Sequence, residues 1–302
     1  MRTKYVLPAI VAAAALLLTG CVDNTTPSTD DVAPPSSATD CVEAPAGASA
    51  ESLVPDDVKA SGVLVVGVDP TYPPNESKDE AGNPVGWSMD LVDALAAELG
   101  LKVEYAVSSF DKIIPSITGG TYDIGFSSFT DNVEREKTVC FVNYFTAGVQ
   151  WAQPIGANVD PANACGLTVS VQATTFEETD ELPAKSKECT DAGKAEITIL
   201  KFDTQDEASN AVALGRSDAM SADSPITQYA VSQLKDKIEL AGPAFDDAPY
   251  GVAINKGSGL VAAVQAGLQA MMDDGTYAAI LADWGVSDGA IAKATVNAAA
   301  NG

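Results

Sequence analysis

The sequence predicts a two-lobed α/β protein with a ligand cleft between the lobes and two chain crossings at a hinge. Three observations carry this expectation. Strand and helix patterns alternate from Gly62 onward, a second run of the same kind starts near residue 166, and polar loops fall where strands of both runs end. Such alternation implies a parallel-type sheet with helices on both faces. In open α/β sheets, ligands sit outside the carboxyl ends of the strands.

In the first run, residues 63–68 are continuously apolar apart from Gly67, the pattern of a strand buried on both faces. A loop over 69–74 follows. Leu91, Leu95 and Leu99 recur at every fourth position and Gly100 supplies a stop, which predicts an amphipathic helix over 89–99. Val103, Tyr105 and Val107 alternate as a strand. Residues 110–117 form a short helix closed by Gly119 and Gly120, and 122–126 form a strand leading into Ser127, Ser128, Phe129 and Thr130. In the second run, a strand over 167–171 ends in Gln172, Ala173, Thr174 and Thr175, and 197–200 is another strand. Thr204 and Glu207 make a capping box for a helix through Leu214 that Gly215 ends. The strand over 217–222 ends at Asp223, and Pro225 opens the next helix. Two tail helices cover 259–272 and 276–284, with Tyr277 and Trp284 as packing residues.

The ends add an export signal. Arg2 and Lys4 precede an apolar run over 6–18, and Leu18, Thr19 and Gly20 stand before Cys21 as a lipoprotein cleavage box. Residues 1–20 are thus expected to be a lipoprotein signal peptide, with Cys21 lipidated and the protein held at the outer face of the cell membrane. Two acyl chains suffice for stable anchoring. Residues 21–52 are rich in Thr, Pro, Ser, Ala and Asp and are expected to be a flexible tether. Lobe 1 is expected over 53–147 plus 250–290 and lobe 2 over 148–249, with crossings near 146–149 and 247–251.

Composition excludes several function classes. With 17 basic and 42 acidic residues the net charge is −25, which disfavours nucleic acid as a partner. There is no histidine, so Ser-His-Asp and Cys-His catalysis and most zinc sites are ruled out. No metal and no cofactor is expected.

Six stretches, in order, resemble the family 3 extracellular solute-binding proteins, the polar amino-acid receptors of bacterial ABC importers. They are residues 66–74 (VGVDPTYPP), 110–117 (FDKIIPSI), 127–130 (SSFT) followed by Arg135, 172–175 (QATT), 215–218 (GRSD) with Asp223, and 274–277 (DGTY). The similarity spans about residues 62–284, and the cleavage box, Asn75 and the segment from Cys165 to Cys189 resemble actinobacterial members. The resemblance implies a type II periplasmic-binding-protein-like fold. It further implies a monomer that captures a free L-amino acid and delivers it to an ABC permease.

A free amino acid is a zwitterion, and the residues can be read against that. Arg135 offers a planar fork for the α-carboxylate, beside an expected helix N-terminus that also favours an anion. Thr174 and Thr175 stand at the equivalent turn of the second run as further donors. Asp223 is the expected partner of the α-ammonium, joined by Ser127, the Ser128 carbonyl and the Thr130 hydroxyl. Tyr72 and Phe110 match the family's aromatic walls, and Asp69 matches a position that receives the polar end of the ligand side chain. A carboxylate there favours a basic or amide side chain over Glu or Asp. Asn75 is expected to shape the pocket floor, and Phe176 replaces a polar residue common in receptors of basic amino acids. The alternative for Asp69 is a turn cap beside Pro70, and for Asp223 an N-cap before Pro225. Alternative functions are an extracellular amino-acid sensor, or a dehydratase-type enzyme on the same fold using Asp69, Glu177 or Asp223. Nothing in the sequence marks these carboxylates as acid or base, and the expectation is a binding protein.

Besides Cys21 there are four cysteines, an even number that suggests disulfides in an exported chain. Cys165 is expected to pair with Cys189, closing a loop within one lobe. Cys41 is then left for Cys140, with a buried free Cys140 thiol as the alternative.

Overall fold

The computed structural model describes residues 40–301. The expected leader, its cleavage box, Cys21 and tether residues 21–39 lie outside the described residues.

The strands of the main sheet are β1 Val63–Val68, β2 Lys102–Val107, β3 Ile124–Thr130, β4 Val139–Pro154, β5 Thr168–Gln172, β6 Thr198–Phe202, β7 Ala219–Asp223, β8 Ile238–Leu240 and β9 Phe245–Asn255. They pair in the order β2-β1-β3-β9-β4-β7-β5-β6, and β8 joins β4 at the side. Within each half the pairs are parallel: β2 and β3 flank β1, and β6 and β7 flank β5. The helices Trp87–Glu98, Phe110–Thr118, Gln205–Ala213, Ser224–Gln233, Leu260–Asp274 and Thr276–Asp283 follow the predicted order. Thr204 caps its helix by accepting from the Glu207 N–H. Gly67 in β1 is set by packing, since a Cβ there would lie 2.5 Å from the Tyr122 ring and 2.9 Å from Ile113.

The sheet departs from the parallel expectation at its centre. β4 and β9 are long strands, antiparallel to each other and to their neighbours β7 and β3. The chain therefore passes from the first half to the second along β4 and returns along β9. Thr146 faces Pro249 and Ala147 faces Ala248 where the two cross. Two paired strands make a connection that bends as a unit, whereas a loose linker would leave the halves independent.

The core divides with the sheet. One cluster gathers Leu64, Val66, Leu91, Leu95, Phe126, Ile254, Val264 and Leu268. A second gathers Trp151, Val169, Val171, Leu182 and Ile197. A third joins Met220, Ala222 and Ile226 to Tyr72, which reaches over from the first half. These are two lobes with a cleft at the strand ends.

Residues 40–52, read from sequence as part of a tether, are folded against the first lobe. The Gly257 N–H donates to the Asp40 carbonyl, Ala44 N–H donates to Gln265 Oε1, and Ser49 caps a one-turn helix, Ala50–Leu53. Both expected disulfides are present, Cys41–Cys140 and Cys165–Cys189. The first fastens the start of the described chain to β4; burial leaves Cys140 within the core in bonded form. The second tail helix packs through Tyr277, whose hydroxyl donates to the Tyr144 carbonyl. Trp284 is partly exposed, and its indole N–H donates to Asp90. The chain beyond residue 290 returns to β4, where Val296 bridges Val142. Among the described residues no helix is long and apolar enough to cross a membrane.

Candidate ligand-binding cleft

Asp69, Tyr72, Phe110, Ser127, Ser128, Thr130 and Arg135 line the cleft from the first lobe. Gln172, Thr175, Phe176, Glu177 and Asp223 line it from the second. Of the residues expected from sequence, Thr174 stands outside this lining.

Asp69 follows the end of β1 and is buried. Its Oδ1 accepts from Thr71 Oγ1 at 2.9 Å. Its Oδ2 accepts from the Phe110 N–H at 3.1 Å and from Gln172 Nε2 at 2.9 Å. Burial raises its pKa, and the hydrogen bonds from Thr71, Phe110 and Gln172 oppose the rise. The carboxylate thus holds the start of the 110–118 helix as well as facing the cleft. Phe110 stacks on Phe129 with centroids 4.5 Å apart, giving an aromatic wall.

Arg135 lies over that wall, with Cζ 5.7 Å from the Phe110 centroid and 5.8 Å from that of Phe129. It donates from Nη1 to the Thr130 carbonyl at 2.7 Å and from Nη2 to the Thr174 carbonyl at 2.9 Å. Two carbonyls fix the plane of the guanidinium and leave its other N–H groups for an anion. Burial lowers its pKa, and the charges of Glu177, Asp180 and Asp223 oppose this. The helix expected at this point is a four-residue turn, Val133–Glu136, and Asn132 already accepts from the Arg135 N–H. That N–H is therefore not free for an anion. The turn of the second lobe differs likewise. The Thr174 N–H donates to Glu178 and the Thr175 hydroxyl donates to the Gln172 carbonyl.

Asp223 ends β7, and its Oδ2 accepts from the Tyr72 hydroxyl at 2.7 Å. Burial raises its pKa to about 6 against the lowering effect of Tyr72 and of the Arg135 charge. Tyr72–Asp223, Asp69–Gln172 and Arg135–Thr174 all join the first lobe to the second, so the lobes stand closed on each other.

Ser127 and Ser128 belong to β3, which runs on through Thr130 where sequence suggested a loop. Ser127 Oγ accepts from the Asp69 N–H. Ser128 adopts positive φ, 49°. Its hydroxyl donates to Glu76 at 2.9 Å and accepts from Asn75 Nδ2 at 2.8 Å. Asn75 Oδ1 in turn accepts from the Trp87 indole at 2.7 Å, so this group braces β3 from beneath the cleft.

Sequence reasoning left Gln172 out of the ligand contacts and named Glu177 only as a candidate acid of the enzyme alternative. Gln172 ends β5 and its amide spans the cleft to Asp69. Glu177 opens a π-helical turn, Glu177–Glu181, a conformation frequent at functional sites. It was hidden in an acidic run that reads as a solvated face. The signal available was Glu177 recurring at Glu181, four residues on, directly after the apolar Phe176.

The model of the bacterial extracellular solute-binding proteins, family 3, matches residues 64–287. An arginine-binding protein of Corynebacterium glutamicum is 43% identical over 249 residues, covering 82% of each chain. The solved structure of an ancestral arginine-binding protein bound to arginine superposes with a TM-score of 0.68 at 34% identity, covering 74% of this chain and 98% of that one. The ancestral protein bound to glutamine gives 0.67 at 34% identity, with the same coverage. On the family match over most of its length and on its similarity to these relatives, the chain belongs to the bacterial extracellular solute-binding proteins, family 3.

Proposed function

We propose that this protein captures free L-arginine, with other basic amino acids and glutamine as weaker ligands, and delivers it to an ABC permease. One observation carries the reading: the cleft lining holds three carboxylates, Asp69, Glu177 and Asp223, against one guanidinium, Arg135. A lining of that balance repels Glu and Asp and accepts a ligand with an extra cation. In this reading Arg135 takes the α-carboxylate and Asp223 the α-ammonium. Ser127, Ser128, Thr130 and Thr175 complete the polar contacts, and Thr174, outside the lining, acts through its carbonyl on Arg135. Tyr72 and Phe110 hold the aliphatic stem, and Asp69 receives the guanidinium. The names of the relatives support arginine as the ligand. The carboxylates serve as ligand contacts, and no chemical step is assigned to them.

The lobe limits of 53–147 plus 250–290 and 148–249 belong to the same proposal, with closure about the β4–β9 crossing. So does membrane attachment through a lipid on Cys21. Calorimetry of the mature protein with L-arginine, L-lysine, L-glutamine and L-glutamate tests the ligand assignment. Arginine is expected to bind tightest. Glutamate binding at least tenfold more tightly than every basic or amide ligand would overturn the role given to Asp69.

A further inference from the structure

We propose that Glu177 is a ligand-contacting carboxylate that shares the α-ammonium with Asp223, so that capture of the amino acid displaces a proton from the pair. The inference rests on the amino-acid reading above and deepens it.

Glu177 is 1% exposed, and its Oε1 is a buried atom without a hydrogen-bond partner, although the residue lines the cleft. A buried carboxylate oxygen left unsatisfied is costly, and the cost is removed when a donor arrives. An ammonium brings three donors, and one of them can satisfy Glu177 Oε1 beside Asp223. The surroundings are specific. Asp223 and Glu181 face Glu177 as like charges, and Arg135 and Tyr72 interact with it across the cleft. Asp180 sits in the same π turn. Strand β5 beside it carries no titratable group. From the following helix, Leu182–Asp191, Lys185 approaches Glu181 at 4.0 Å, while Lys187 and Asp191 pair with each other at the surface.

Two carboxylates facing one dry pocket cannot both ionise easily, so the unliganded pair holds a proton. Burial, and then the Asp223 charge, raise the Glu177 pKa well above its usual range. A cationic ammonium placed between the two groups reverses the balance and drives that proton into solvent. Capture therefore weakens as pH falls, because ligand and proton compete for the same two oxygens.

Calorimetry with L-arginine in buffers of different ionisation enthalpy counts the protons released. The wild type is expected to release up to one proton on binding, and its affinity to fall by up to about tenfold per pH unit across the range in which release is seen. Glu177→Gln keeps the shape of the side chain. It is expected to bind arginine at least tenfold more weakly at pH 8 and to lose most of the proton release and pH slope. Wild-type binding without proton release between pH 6 and 8 would overturn the proposal, whether or not the variant folds. A folded Glu177→Gln protein with affinity within twofold of wild type and the same slope would also overturn it, leaving the arginine assignment in place. A wild type that binds neither L-arginine nor L-glutamine would overturn both.

Discussion

Arg135 and Asp223 line the cleft from opposite lobes, and the proposed function has them hold the two charges of a zwitterion. Asp223 is buried and Arg135 half-buried, and each keeps partners that orient it without neutralising it fully: carbonyls for Arg135, a tyrosine hydroxyl for Asp223. Truncating one member of a desolvated charge pair costs about 2–5 kcal/mol, because the opposite charge stays buried. Arg135→Ala and Asp223→Ala are each expected to weaken arginine binding by ~30-fold to several thousandfold with the fold retained. Calorimetry beside a thermal melt checks both halves of that statement. Glu76 is a residue of a different kind. It is buried under β3 and accepts from Ser128, and burial pushes its pKa up to about 8. A carboxyl whose folded pKa is raised favours the native state while protonated, and that stability is lost as pH rises from the unfolded value through the folded one. Wild-type stability therefore declines between about pH 4.5 and pH 8, at up to ~1.4 kcal/mol per pH unit from this group. Glu76→Gln removes the dependence, so urea melts should show the variant gaining on wild type between pH 5 and pH 8. Buried Glu181, pushed to about 7, acts in the same direction in both proteins. Asp69 and Asp223 were legible in the sequence because each is a charge set at a strand end, whereas Arg135 was read through the family resemblance of the SSFT stretch before it. Glu177 was legible only as a candidate acid of the enzyme alternative and not as a ligand contact, because a charge within an acidic run looks solvated until its turn is known to wind inward. Gln172 was read as part of a polar loop, since its reach across the cleft depends on the placement of the other lobe.

At the scale of elements, the parallel units were readable because their strands are short apolar or alternating runs bounded by glycine or a polar turn. The helix Gln205–Ala213 carried its own start and stop in Thr204 and Gly215. The extents of β4 and β9 were not readable. β4 runs through sixteen residues without alternation, because neighbours cover it along most of its length. β9 contains Asp246, Asp247 and Pro249, which read locally as a loop; pairing with β4 overrides that preference. Packing at the crossing is also tight. A Cβ on Gly148 would lie 2.9 Å from the Phe245 carbonyl and would press on the Asp247 side chain. A backbone atom cannot swing away as a side chain can, so the two strands would have to separate. Gly148→Ala is expected to destabilise the protein by ~1–3 kcal/mol. Chemical denaturation should show this as a lower midpoint at an unchanged m-value.

For the whole molecule, the acidic balance and the cleft act on the same ligand at different distances. Inside the cleft, Asp69, Glu177 and Asp223 are the carboxylates that the proposed function has select among amino acids. Outside it, a net charge of −25 draws cations towards the surface before any contact forms. The range of that field is set by salt: the Debye length is ~30 Å at 0.01 M and ~8 Å at physiological ionic strength. Contacts within the closed cleft are screened far less. Arginine carries a net positive charge at neutral pH and glutamine carries none, so the two ligands separate the long-range effect from the local one. In stopped-flow measurements the association rate of arginine should fall several-fold between 0.01 M and 0.2 M salt, while its dissociation rate stays nearly constant. The association rate of glutamine should change by less than about twofold over the same range. Equal insensitivity of both rates would mean that the acidic surface serves solubility alone and that selection begins only at the cleft.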